Sequence, residues 1–187
     1  SWWSAMEDSS RDAKRFQYER FILSQLLVMA LKGVPAFYLP ALLASENDIK
    51  SFSMTGQRRD LNREKFKSEN LSAVLNNPES NANKNLKYLR NAMDVRSELK
   101  QFHPCSQMKC LSKGRSDIVV IKRGKGPESV FAIHNMTENK INYQLNDNDL
   151  PKIIDNDFNT HDFLTSTKYN CKNISLDPFQ VIWLSAL

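Results

Sequence analysis

Three guanidiniums and one carboxylate fall within six residues, at Arg58, Arg59, Asp60 and Arg63, with Asn62 among them. Guanidinium forks donate in a fixed plane, and Asp and Asn side chains add acceptors. A sugar presents hydroxyls that each need a donor and an acceptor, so this mixture suits a polyhydroxylated ligand. The same residues can instead close on each other as an Arg/Asp ion-pair knot that fixes a long loop, and structural networks of that kind are common. Spacing alone leaves both open. The remaining reactive groups form no constellation. His103, His134 and His161 have no nucleophile beside them. Cys105, Cys110 and Cys171 show neither CxxC nor Cys/His metal spacing. Nothing in the sequence pairs Glu46 and Asp48 in space as an acid/base couple. No catalytic residue, metal site or cofactor is assigned.

The cluster follows an apolar stretch that has to position it. Residues 34–39 read as a short strand covered on both faces, as in a parallel sheet, and Pro35 is tolerated near its start. Residues 13–31 read as a helix, with residues 10–12 supplying its cap. Phe16 and Glu19-Arg20 fall on different faces of its early part, and its later part is apolar nearly all round. Gly33 and Pro35 stop it. Helix, tight turn and buried strand make half of a βαβ repeat. In such folds ligands sit at the C-terminal ends of strands, where the 58–63 cluster falls. Lys32, Gly33, Pro35 and Pro40 interrupt the apolar residues 21–44, so a buried helix, turn and strand fit them better than a membrane span.

Downstream, residues 46–53 read as a short helix, 56–64 as a polar loop and 68–76 as a helix capped by Ser68. Residues 79–102 form a long amphipathic helix with Leu86, Leu89, Met93, Arg96 and Leu99 on one stripe, ended by Pro104. Arg96 is expected to snorkel from that stripe. Beyond Pro104 the texture changes. Residues 117–121 and 129–133 predict a hairpin around 124–127, and 141–145 and 179–184 alternate in strand fashion. Short strands with Asn/Asp turns predict a small antiparallel sandwich, with Tyr143, Phe179 and Trp183 in its core. The boundary falls near residues 102–104, dividing the chain into 1–102 and 103–187. The predicted class is α+β.

The formal charge of +5 comes from signs that alternate along the chain. Lys65-Phe66-Lys67 and Lys122-Arg123-Gly124-Lys125 read as solvated faces, since a nucleic-acid stripe is denser and interleaved with stacking aromatics. An odd number of cysteines and a start without a charged leader and apolar run predict reduced thiols in a cytoplasmic protein, with no nucleic-acid or membrane partner.

Gly33-Val34-Pro35-Ala36-Phe37-Tyr38 and Arg59-Asp60-Leu61-Asn62-Arg63 together resemble the last barrel strand and the sugar-holding loop of sucrose phosphorylases, a branch of the α-amylase superfamily. Gln57-Arg58 before the motif and Glu64-Lys65-Phe66 after it look more like the glucosylglycerate-phosphorylase branch. The likeness runs through Leu42-Leu43-Ala44, Asn47-Asp48, Phe102-His103-Pro104 and residues 132–137. It is strongest over 16–66 and weak after Asn146. It implies that residues 1–102 are the last helices and strand of a β/α barrel, followed by a C-terminal β-sandwich. It also implies that Arg63, with Asp60 and Arg59, binds the glucosyl group. The family moves that group between sucrose or glucosylglycerate and inorganic phosphate by a retaining double displacement, with an Asp nucleophile and a Glu acid/base. Those carboxylates are expected upstream of Ser1, which makes the chain a C-terminal fragment, inactive alone and self-associating through residues 13–44. The alternatives are a hydrolase of the same superfamily, or a non-catalytic carbohydrate-binding or structural β-module. Trp2 and Trp3 either stack on a sugar face or pack inside the protein.

Overall fold

The computed structural model describes residues 1–8, 12–146, 150 and 159–185. The fold is α+β with antiparallel sheets. The chain divides into two compact units, one of Ser1–Ile22 and Ala36–Asn91, the other of Leu23–Pro35 and Ala92–Leu187.

The first unit is helical. Helix α1 (Gln17–Ala30) begins in it, after a turn in which Phe16 takes a left-handed φ of 56°. The predicted start at residue 13 is therefore four residues early, and the Ser10 cap lies outside the described residues. Short helix α2 (Leu39–Leu42) follows, then α3 (Ile49–Thr55), α4 (Ser68–Asn76) and the first part of α5 (Asn81–Glu98). Asp48 caps α3 by accepting from the Ser51 amide at 2.9 Å, as short polar side chains do at helix starts. Gly56 ends it with φ 67°, a conformation that costs glycine little. Ser68 is the first helical residue of α4 rather than its cap, and Lys67 at the cap position makes no side-chain bond. The core of this unit gathers Trp3, Phe21, Ala41 and Ala44, with Trp3 edge-on to Phe21 at 5.3 Å. Buried Asn85 of α5 donates to the Ala41 and Leu42 carbonyls at 3.0 and 2.8 Å, satisfying orphan acceptors at the end of α2.

Residues 34–38 are not a strand. None of the described strands pairs with them, and Val34 is 80% exposed. Their apolar composition predicts a buried strand, but a strand exists only where a ladder partner takes its amides and carbonyls.

The second unit is built on a four-stranded antiparallel sheet of order β1 (Met108–Cys110), β2 (Ile118–Arg123), β3 (Val130–Asn135) and β8 (Val181–Ser185). The predicted hairpin is β2 and β3, paired Ile118 to Asn135 through Arg123 to Val130. Two small ladders pair β4 (Ile141–Tyr143) with β7 (Ile174–Leu176), and β5 (Asn159–His161) with β6 (Lys168–Asn170). His161 thus lies at the end of strand β5. One sheet face buries Ile118, Val120, Phe131, Ile133, Ile182 and Leu184 against Leu145, Ile174 and Leu176. Every residue of β3 is buried, so both of its faces are covered and its apolar run is continuous. Tyr143 and Phe179 are half-buried, while Trp183 is fully buried against Phe102 at 4.6 Å.

Two arginines in this unit depart from their predicted surface roles. Arg123 is fully buried, not part of a solvated basic face. It donates to the Ala30, Leu31 and His103 carbonyls at 2.9, 2.6 and 3.0 Å. Arg96 donates to Met29 O at 2.9 Å and Gly33 O at 3.0 Å instead of snorkelling. The C-terminal carbonyls of α1 lack helical partners and carry partial negative charge, which is what draws two guanidiniums to them. The long helix predicted over 79–102 is α5 plus a separate 3-10 turn, Lys100–Phe102.

Candidate functional site

The 57–66 stretch lies in the first unit, between α3 and α4. Its centre is a 3-10 turn, Arg58–Asn62, followed by Arg63 in an extended-side conformation of φ −127° and ψ 47°. The C-terminal end of the turn is tied down twice. The Asp48 amide donates to Leu61 O at 2.8 Å. The Tyr38 hydroxyl donates to Asn62 O at 3.0 Å. Within the turn the Arg63 amide donates to Asp60 O at 3.3 Å. Asp60 is spent on this scaffold: its Oδ2 accepts from Thr55 Oγ1 at 2.6 Å, joining the turn to the end of α3. Asp48 belongs to the same brace, and the Ser51 hydroxyl and amide that donate to it hold its carboxyl below the usual carboxylate range.

Arg59 and Arg63 are exposed. Among the described residues neither guanidinium has a hydrogen-bond or ion-pair partner, so no Arg/Asp knot forms inside the motif. The turn therefore separates two jobs. The carboxylate and the main chain hold its shape, and the guanidiniums face outward with their donors uncommitted. A cation fork of this kind binds hydroxyls, carboxylates or phosphates.

Two concavities flank the turn. One, of 280 Å³, is lined by Ser1, Trp2, Ala5, Met6, Tyr38, Pro40, Ala41 and Asn62. Trp2 is 49% exposed there and Tyr38 52%, whereas Trp3 is core. The sequence left Trp2 and Trp3 undecided between stacking and packing; adjacent positions have taken one role each. The other, of 470 Å³, is lined by Glu46, Asn47, Asp48, Lys50, Glu64 and Lys65, with Ile49 its one apolar residue. Asn47 is anchored there through its amide, which donates to Ser4 Oγ at 3.0 Å. Sequence reasoning missed Tyr38 as part of the site. Its strand-like apolar context concealed a hydroxyl that reaches the motif 24 residues later.

The histidines take no part. His134 is fully buried, with Nδ1 3.3 Å from Val119 O, and burial lowers it to about 4. Burial likewise pushes the Cys171 thiol up to about 11, which makes it inert. Among the described residues no cluster of His, Cys, Asp or Glu is arranged to hold a metal, and no helix is long and apolar enough to cross a membrane.

No family model matches the chain. Among curated proteins it is 31% identical over 130 residues to the glucosylglycerate phosphorylase of Allomeiothermus silvanus, covering 70% of this chain and 23% of that protein. It is 22% identical over 165 residues to the Escherichia coli glucosylglycerate phosphorylase, covering 88% and 28% respectively. The chain thus spans about a quarter of the length of the curated relatives it matches. Among solved structures, the trehalose-6-phosphate hydrolase of Bacillus licheniformis superposes with a TM-score of 0.64 at 16% identity, over 97% of this chain and 41% of that one. Identity that low speaks for the fold alone. Over the segments that align, the chain is similar in sequence to glucosylglycerate phosphorylases and in fold to the matching part of the Bacillus licheniformis hydrolase.

Proposed function

We propose that this chain is a C-terminal segment of a cytoplasmic glucosyl-transferring phosphorylase. Residues 1–102 belong to a β/α barrel whose upstream strands supply the ladder partner that residues 34–38 lack in this chain, and residues 103–187 form its C-terminal β-sandwich. The parent enzyme exchanges a glucosyl group between glucosylglycerate or sucrose and inorganic phosphate, through a covalent glucosyl-enzyme intermediate that phosphate resolves. In this segment Arg63, with Arg59, grips the glucosyl hydroxyls. Asp60 fixes the turn that aims them and completes the subsite. The observation that carries the reading is the 58–63 turn itself, braced by Asp60, Asp48 and Tyr38 while its guanidiniums stay uncommitted. Similarity to three glucosylglycerate phosphorylases supports the substrate class.

The nucleophile and the acid/base are contributed by earlier barrel strands, so the isolated chain is inert. A chimera that joins the upstream part of the Allomeiothermus silvanus enzyme to this chain tests the assignment. Incubated with glucosylglycerate and phosphate, it should release glucose 1-phosphate, and the isolated chain should release none. Turnover by the isolated chain would sink the segment assignment. Release of glucose alone from the chimera would favour a hydrolase.

The isolated chain also self-associates through residues 13–44. Val34, 80% exposed, leaves an apolar side chain in water on a stretch that none of the described strands pairs with, a template for another chain. Light scattering at micromolar concentration should give a dimer or larger species, and a monodisperse monomer would refute this.

A further inference from the structure

We infer that a third concavity of the helical unit, of 160 Å³, binds a small neutral ring alcohol through Ser45. The site shares no lining residue with the 58–63 turn and stands apart from the phosphorylase reading. Its walls are apolar. Leu43 and Ala82 are buried there, and Phe66 and Leu71 are half-buried. Val74 of α4 lines it too and is 43% exposed, so α4 does not seal the pocket. Ser45 is the one buried polar residue of the lining. It is 6% exposed, and among the described residues its hydroxyl has no hydrogen-bond partner. Its amide is committed to Pro40 O at 2.9 Å, which fixes the backbone and leaves the side chain as the open group. A buried hydroxyl left unpaired is unfavourable. A ligand hydroxyl both donates and accepts, so it completes Ser45 whichever way that proton points. Rotation about χ1 moves Oγ among staggered positions, which lets it turn toward an occupant without moving the main chain.

Volume and charge set the rest of the ligand. An apolar cavity of about 150 Å³ holds benzene, so 160 Å³ takes one six-membered ring. Glu64 and Asn70, both exposed, stand where the pocket meets solvent, and the Glu64 carboxylate disfavours an anion there. A sugar, hydroxylated all round its ring, would leave most of its hydroxyls unpaired against these walls. One hydroxyl on an otherwise apolar, uncharged ring matches the single polar group within the pocket.

The test is an NMR titration of the full 187-residue chain, reading the methyl signals of Leu43, Leu71 and Val74. Cyclohexanol should move them saturably, benzene more weakly, and cyclohexanecarboxylate and glucose not at all. Ser45→Ala removes only an unpaired hydroxyl, so the fold should hold. Cyclohexanol should then bind about tenfold more weakly while benzene is unchanged. Val74→Phe, at an exposed position, should fill the pocket and abolish binding of both. No saturable movement with cyclohexanol would overturn the site, whether a water or another part of the chain fills it. Saturable movement with glucose would overturn the ligand class. Equal losses for cyclohexanol and benzene in Ser45→Ala, or no loss for either, would overturn the role of the hydroxyl. A chimera that releases no glucose 1-phosphate, with the titration intact, would remove the phosphorylase reading and leave this site standing.

Discussion

In the unit that carries the 58–63 turn, the guanidiniums face solvent and the turn is held by a few single hydrogen bonds, two of them from Tyr38 and Thr55 side chains. In the sheet-bearing unit, Arg123, His134 and Asp162 are all fully buried; Arg123 and His134 bond backbone carbonyls, and Asp162 accepts from backbone amides and from the Thr165 hydroxyl. Asp162 accepts from the Trp183 amide at 2.7 Å and the Leu164 amide at 3.2 Å, and burial raises its carboxyl. Polar groups that are buried and paired specify a packed interior, and they are costly to disturb. Polar groups left outside, on a turn that is braced from behind, cost little to remove and are available to a ligand. Substitutions in the two units should therefore differ in kind: loss of fold in one, loss of contact in the other.

The largest effect is expected at Arg123. Arg123→Ala abandons three carbonyls and opens a cavity against Phe102, whose ring lies 5.4 Å from the guanidinium carbon. Stability should fall by about 4 kcal/mol, read by urea unfolding of the near-UV signal. Arg123→Lys should recover little, since a single ammonium cannot span the carbonyls that the guanidinium fork reaches. A loss near zero would mean that the sheet unit does not depend on its buried charge, and the contrast would collapse.

His134 sets the next effect. Its folded value of about 4 lies below the ordinary 6.5 because burial penalises the cation. The unfolded chain therefore takes up its proton first as pH falls. The stabilisation is whole above pH ~6.5 and is lost progressively down to pH ~4, about 3 kcal/mol in all. His134→Leu should flatten the stability profile in that window. An unchanged slope would assign the acid sensitivity to other groups.

Much of the sheet unit was legible in the sequence, because its strands carry the pattern themselves. The hairpin of β2 and β3 is two apolar runs around a Gly/Pro loop, and the segment predicted over 179–184 overlaps β8, which is buried at four successive positions rather than alternating. The three-residue strands β1, β5, β6 and β7 were not, since so short a segment carries no period. Arg123 was misjudged for a different reason. In sequence it sits in a basic cluster, and only its tertiary neighbours, the open carbonyls at the end of α1, make an interior place for it. Residues 34–38 erred in the opposite direction. Their composition suits a covered strand, but composition cannot supply the neighbouring strand that would cover it. At the site, the 58–63 cluster was plain from residue types. The separation of Asp60 as brace from Arg59 and Arg63 as outward donors needed the Thr55 contact, and Tyr38 needed the fold.

The smallest expected effect on stability is also the most telling. Arg63 is exposed, so Arg63→Ala should change unfolding free energy by no more than about 0.5 kcal/mol. Its effect on chemistry should be much larger, because charged hydrogen bonds to a substrate are worth about 1.5–3 kcal/mol each. The direct measurement is kcat/KM for phosphorolysis of glucosylglycerate by the chimera, with and without Arg63→Ala, alongside the thermal midpoint of each. A fall of at least about tenfold at an unchanged midpoint is the predicted result. Wild-type kinetics in the Arg63→Ala chimera would contradict it and leave Arg63 as an ordinary surface cation.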